Sequence, residues 1–226
     1  MRIDIRGVIV PNDDAWVYDW FGMENTCPKT VNDILNTAGG ESIDVYINSG
    51  GGDIFAGSEI YSALRSYVGK VNIHITGLAA SAASVIACAG YSDISPTAMM
   101  MVHNVSSCAR GDYHDMDKES EVLQKANKSI CAAYMHKCGI SESDALAMMD
   151  EETWLTAEDA VKLGLVDKIA DSQNLQLVAS SNPLLPRGII DKIKSEIKGS
   201  ADESDFYFAK EKINLLKLKG ALRDEL

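Results

Sequence analysis

The chain has 226 residues, 46% of them hydrophobic, and a formal net charge of -12 at pH 7. That length and apolar content suit one sizeable domain with a real core. The acidity argues against nucleic acid as a partner, because phosphates need a surplus of basic groups to neutralise them. No run of about 18 uncharged apolar residues is present, so no membrane-spanning helix is expected. The N-terminal MRIDIRGVIVPNDD lacks the basic start and unbroken apolar centre of a secretory signal, so the expected compartment is cytoplasmic. Cys27, Cys88, Cys108, Cys131 and Cys138 are odd in number and contain no CxxC pair, which argues against a disulfide framework or a thiolate metal site. His74, His103, His114 and His136 show no ligand spacing such as HExxH, so no metal and no cofactor are expected.

RIDIRGVIV alternates and then turns apolar, the pattern of a strand. PKTVNDILNTAGG predicts a short helix, with Pro28 suited to its first turn and Gly39 and Gly40 ending it. SIDVYIN is β-branched and extended. Residues 53–70 form an amphipathic helix with Ile54, Ile60, Leu64 and Val68 near helical spacing. VNIHIT predicts a further strand, SAASVIACAG a helix of small residues, and AMMMVH a short apolar strand. Residues 112–138 form a long helical pattern with Leu123, Ala126, Ile130, Ala133 and Tyr134 on one face. SESDALAMM predicts another helix, and Thr156 with Asp159 caps one that Gly164 stops. Residues 171–188 are polar and proline-punctuated, a linker, and 189–226 are charged and helix-prone. Alternating strands and helices imply an α/β fold with a mostly parallel sheet and right-handed crossovers.

In such sheets, ligand sites gather beyond the carboxyl ends of the strands. Three ends stand out: SIDVYIN runs into Gly50, Gly51 and Gly52; VNIHIT runs into GLAAS; AMMMV runs into His103. Parallel strands would put a glycine loop, a serine and a histidine on one edge. Ser81 would open a helix whose free N–H groups and partial positive charge suit a developing oxyanion. A serine hydroxyl is a weak nucleophile and needs a base. An imidazole, as at His103, exchanges a proton near neutrality. Glycines 50–52 can turn their N–H groups outward, to complete an oxyanion hole and pair with an extended peptide. Each part also has a structural reading: close helix packing for the Ala/Ser stretch, a satisfied core histidine, a plain turn. Ser84 is the competing nucleophile, but lies a turn deeper, where its hydroxyl suits a bond to the helix backbone.

INSGGGDIFAG, GLAASAASVIACAG, MMMVHN and ETWLTAEDAVKLGLVD, in this order, resemble the Clp protease proteolytic subunit (ClpP) family, closest to its phage-type head maturation (prohead) branch. The resemblance covers about residues 1–172 as a protease domain, leaving 173–226 as linker and tail. It implies a ClpP/crotonase-like α/β fold with a long handle helix at 112–138. It implies a self-compartmentalising serine endopeptidase that hydrolyses peptide bonds through a Ser-His-acid triad. Carried over by motif, Ser81 is the nucleophile, His103 the base, and Gly52 and Ala82 the backbone oxyanion donors, with Gly50, Gly51 and Gly52 lining the substrate. Where the family carries Asp before its FLSA-like segment, this chain has Glu152; a Glu can still hold the imidazole in the required tautomer. Asp150 is the fallback acid. The resemblance further implies a homo-oligomeric ring, often heptameric and stacked, with capsid or scaffold proteins as substrates. No segment ahead of the first strand matches the one that touches the unfoldase ring, so a stable Clp ATPase partnership is not expected.

Three rivals define the tests. A crotonase-type acyl-CoA enzyme would bind coenzyme A without a Ser-His pair. A serine-lysine peptidase like signal peptide peptidase A would need a lysine near Ser81, with Lys125 and Lys128 as candidates on the long helix. A non-enzymatic capsid assembly module would carry a degraded triad.

Overall fold

The polar-apolar alternation of Arg2–Ile9 makes β1, whose Ile3 and Ile5 point into the core while Arg2 and Asp4 face solvent. The computed structural model describes residues 1–170 and 188–192. Almost all of the expected linker and tail, and the expected boundary after residue 172, lie outside the described residues; residues 188–192, part of a second unit, are helical.

In chain order the first unit runs β1, α1 (Ala15–Trp20), β2 (Asn25–Thr26), α2 (Pro28–Ala38), β3 (Ile43–Gly52), α3 (Ile54–Ser66), β4 (Val71–Ala80) and α4 (Ala82–Ala87). It continues with β5 (Tyr91–Ile94), β6 (Met99–Val102), α5 (Tyr113–Cys138), α6 (Glu142–Asp150), β7 (Thr153–Thr156), α7 (Ala157–Lys162) and β8 (Lys168–Ile169). One sheet orders the strands β2-β1-β3-β4-β5-β8, with β6 beside β4 and β7 beside β6. Every pairing is parallel except that of β6 with β7.

The sequence misses α1, β2, β5, β7 and β8. These are short, six residues for the helix and two to four for the strands, so no local periodicity announces them. Two strands are longer than expected. β3 carries on through all three glycines because β1 pairs with Gly51 and Gly52, and β4 carries on through Gly77 to Ala80 because β3 and β6 flank it. The small-residue helix is shorter than expected, ending at Ala87.

One face of the parallel sheet carries the core: Ile3, Ile5, Val45, Ile47, Ile73, Ile75 and Ile94 are buried. Each buried aliphatic side chain contributes about 1.5–3 kcal/mol. The other face is polar. There Arg2 lies over the Tyr46 ring at 4.2 Å and bonds Asp4, while His74 Nδ1 meets Asp93 at 2.9 Å. The Asp93 bond, against some desolvation, raises the His74 pKa. The exposed Arg2–Asp4 pair is worth about 0–1 kcal/mol, so the apolar face does most to hold the sheet together.

α5 is 26 residues long, and only its C-terminal half packs: Ile130, Cys131, Ala133 and Tyr134 are buried. The expected cap of α7 is present, with Thr156 and Asp159 bonding reciprocally. Lys137 fastens α5 to the sheet. Its ammonium donates to the Gly90 carbonyl at 2.8 Å and pairs with Asp167, which also accepts from the Ser92 N–H at 2.7 Å. Burial alone would raise the Asp167 carboxyl, but the Lys137 bond, the Ser92 N–H and the Lys137 charge carry it below its ordinary value. A carboxyl depressed in the folded state stabilises above its unfolded pKa, about 3.9, and ceases to do so as pH falls through the native value. Lys137→Met therefore lowers stability by about 1–3 kcal/mol at neutral pH, measured by urea unfolding. The deficit relative to the parent chain narrows as the pH drops below about 4.

Candidate active site

β4 builds the site by changing partners. Its first half, Asn72 to Ile75, pairs with β5; its last three residues, Leu78 to Ala80, pair with Met99 to Met101 of β6. Ala80 faces Met101, and the Ser81 N–H donates to the Met101 carbonyl at 3.0 Å. The next residue after each strand's end is thereby brought to one place. Ser81 Oγ lies 2.8 Å from His103 Nε2. The structure thus brings together the two residues that the strand-end argument singles out.

Ser81 does not sit inside the first turn of α4, as expected, but caps it with φ 54 and ψ -126. A non-glycine residue at positive φ is strained by about 1–2 kcal/mol. The surroundings impose it: the Met101 bond holds the N–H, while Ala82, Ala83, Val85 and Ile86 are buried and anchor the helix. The six residues of α4 begin with Ala82, so its N–H belongs to the helix's unpaired first turn.

The glycines have distinct duties. Gly51 has φ +95, and an added Cβ would lie 2.7 Å from both the Ala80 carbonyl and Ser81 Cβ. Gly52 has φ +151, and a Cβ there would lie 2.1 Å from the Ile9 carbonyl. Both therefore permit backbone packing that any side chain would block. The outward turn expected of these N–H groups does not hold for Gly51. Its N–H donates inward to the buried Ser49 hydroxyl at 3.0 Å, which in turn donates to the Gly7 carbonyl at 2.6 Å. Gly50 is exposed and unobstructed.

The position of the expected acid, Glu152, is set by the antiparallel pair. The β6–β7 ladder ends with Val102 opposite Thr153, so one residue beyond on each strand stand His103 and Glu152. Glu152 also has positive φ, at 48, and is exposed. No hydrogen bond joins it to His103; its carboxylate accepts from the Trp154 indole at 3.3 Å. Asp150 is bonded elsewhere, accepting from Asn104 Nδ2 at 2.7 Å. Asn104 Oδ1 in turn accepts from Asn127 of α5 at 2.8 Å, and Asn127 Oδ1 from the Val105 N–H at 2.7 Å. This network secures the segment leaving His103 to α5 and α6. The sequence carried no signal of it, since its members lie 22 to 46 residues apart. Lys125 and Lys128 are exposed on α5, and their ion-pair partners are Glu121 and Glu142. Ser84 bonds to the helix backbone, as expected of the deeper serine.

Among the described residues, no group of His, Cys, Asp and Glu has the arrangement to hold a metal ion. None of the described helices is long and apolar enough to cross a membrane.

The fold has solved counterparts. A ClpP1 mutant from Listeria monocytogenes superposes with a TM-score of 0.62, covering 76% of this chain and 92% of that one at 20% identity, a likeness of fold. The Clp protease family model matches residues 30–173. Two relatives from separate strains of Bacteroides fragilis, each named ATP-dependent Clp protease proteolytic subunit, are 32% identical over 133 residues, 58% of this chain. The match spans 64% of one relative's length and 60% of the other's. The chain belongs to the Clp protease family, and its fold is ClpP-like.

The backbone at Gly52 gives a direct test of the site's packing. Gly52→Ala loses about 2–4 kcal/mol of stability, read by thermal or urea unfolding. Gly50→Ala, where a Cβ meets open space, changes it by less than about 0.5 kcal/mol.

Proposed function

We propose that the chain is a ClpP-type serine endopeptidase, with Ser81 as nucleophile, His103 as general base and Glu152 as the acid that orients the imidazole. The observation that carries this reading is the 2.8 Å contact between Ser81 Oγ and His103 Nε2, at the head of a helix with a free N–H. In this mechanism Ser81 Oγ attacks the scissile carbonyl while His103 Nε2 takes its proton. The tetrahedral oxyanion is held by the N–H groups of Gly52 and Ala82. His103 returns the proton to the leaving amine, and water then hydrolyses the acyl-enzyme by the same steps. The step needs no metal or cofactor.

The strand register supports Glu152, since it faces His103 one residue past the last β6–β7 pair. In this reading the carboxylate leaves Trp154 and bonds the imidazole in the active form. Its positive φ supports a functional role as well, because strain of this sort persists where geometry matters more than stability. The protease domain in this reading ends near residue 172, and the active form is a homo-oligomeric ring that encloses its sites. The motif resemblance to the phage-type branch supports a role in head maturation, with capsid or scaffold proteins as substrates.

A fluorophosphonate probe tests the nucleophile. The assembled protein labels on Ser81, and Ser81→Ala removes both labelling and peptide hydrolysis, a loss of at least about 1,000-fold. His103→Ala slows acylation to a similar degree. Labelling that survives Ser81→Ala overturns the assignment, and activity that survives His103→Ala points to a lysine base instead.

Glu152 separates stability from activity. Glu152→Gly relieves the positive φ and raises stability by up to about 1 kcal/mol, seen as a higher unfolding midpoint. The same variant lowers kcat by about 10-fold or more, because the imidazole loses its orienting carboxylate. A stability gain with no fall in kcat removes Glu152 from the triad.

A further inference from the structure

A buried chain of hydroxyls runs beneath the nucleophile. Ser84, fully buried on α4, donates to the Ser81 carbonyl at 2.6 Å, and its oxygen lies 2.7 Å from the Tyr134 hydroxyl. A hydroxyl has one proton to give. That of Ser84 goes to a carbonyl, which can only accept, so Tyr134 must be the donor to Ser84. Tyr134 is 1% exposed, and its burial among apolar neighbours pushes the phenol's pKa up, which keeps it a donor. The Ser81 carbonyl also accepts from the N–H groups of Ser84 at 2.9 Å and Val85 at 3.4 Å.

That carbonyl and the Ala82 N–H are two ends of one peptide unit. Hydrogen bonds onto the oxygen draw electron density toward it and leave the N–H a stronger donor, an effect of about 10–30% per bond. The same bonds pin the plane of a peptide that follows a strained residue. We propose that Tyr134 and Ser84 form a relay that positions and strengthens the Ala82 N–H as an oxyanion donor, making both of them positioning residues. This rests on the reading of Ser81 as nucleophile. The relay ties α5 to the catalytic backbone: Tyr134, 50 residues from Ser84 along the chain, holds the serine rotor in place.

A single oxyanion donor is worth about 100- to 1,000-fold in kcat. Weakening it by 10–30% therefore costs about 2- to 8-fold. The test measures the fluorophosphonate acylation rate, kcat and KM on a peptide, and the unfolding midpoint of the full chain. Tyr134→Phe keeps the ring's packing and slows acylation and kcat about 2- to 8-fold with KM unchanged. Ser84→Ala does the same but also lowers the midpoint, because it leaves the Tyr134 hydroxyl buried without a partner. The double variant Ser84→Ala/Tyr134→Phe regains the midpoint and remains as slow as Ser84→Ala alone. An acylation rate that recovers with the midpoint, or a Tyr134→Phe variant as fast as the parent, overturns the relay while leaving Ser81 as the nucleophile. If Tyr134→Phe does not fold, Ser84→Ala decides: a parental acylation rate overturns the relay. A parent chain that never labels at Ser81 overturns the nucleophile reading and the relay with it.

Discussion

Everything at this site depends on one strand having two neighbours on the same side. β4 leaves β5 after Ile75 and takes up β6 from Leu78 onward. β6 thereby runs beside the last residues of β4, and the residues that follow the two strand ends are Ser81 and His103. Their 2.8 Å contact follows from register: Ala80 is paired with Met101, and the Ser81 N–H closes onto the Met101 carbonyl. A slip of one residue would send one side chain to the opposite face of the sheet. The pairing is held because Met100, Met101 and Val102 are buried and β7 grips β6 from its other edge.

Strain accumulates at the same place. Ser81 and Glu152 are the non-glycine residues at positive φ among the described residues, and the strand register places both beside His103. Such conformations persist only where the surrounding structure over-determines them. Here the constraints are visible: the fully buried alanines of α4 behind Ser81, and the β6–β7 ladder ahead of Glu152. The glycines complete the enclosure by allowing β3 to pass within contact of Ser81, where any Cβ at position 51 would collide with its side chain. Small residues are therefore a requirement of the geometry on both sides of Ser81.

α5 serves the site from a distance. Lys137 secures its C-terminal end through Gly90 and Asp167, Tyr134 reaches the hydroxyl beneath Ser81, and Asn127 orders the segment after His103. One helix thus contacts the supports of both members of the pair. Its N-terminal half, by contrast, is largely exposed and leaves the core.

The sequence by itself determined the class of fold and the strand-end residues, because both are written in local patterns. Alternation in RIDIRGVIV, β-branched SIDVYIN and the amphipathic 53–70 stretch set the order of the early elements, and ordered motifs pointed to Ser81 and His103. The cap at Thr156 was equally legible, since a cap is decided within four residues. Only the tertiary structure decided that β3 and β4 run on through their glycines and alanines, where strand propensity is low and pairing with neighbouring strands wins. It alone decided that Gly51 bonds inward and that Asp150 belongs to Asn104. It alone showed that Glu152 stands across from His103 and that a tyrosine on α5 underlies Ser81. Those facts depend on register and on contacts between residues tens of positions apart, and no window of sequence contains them.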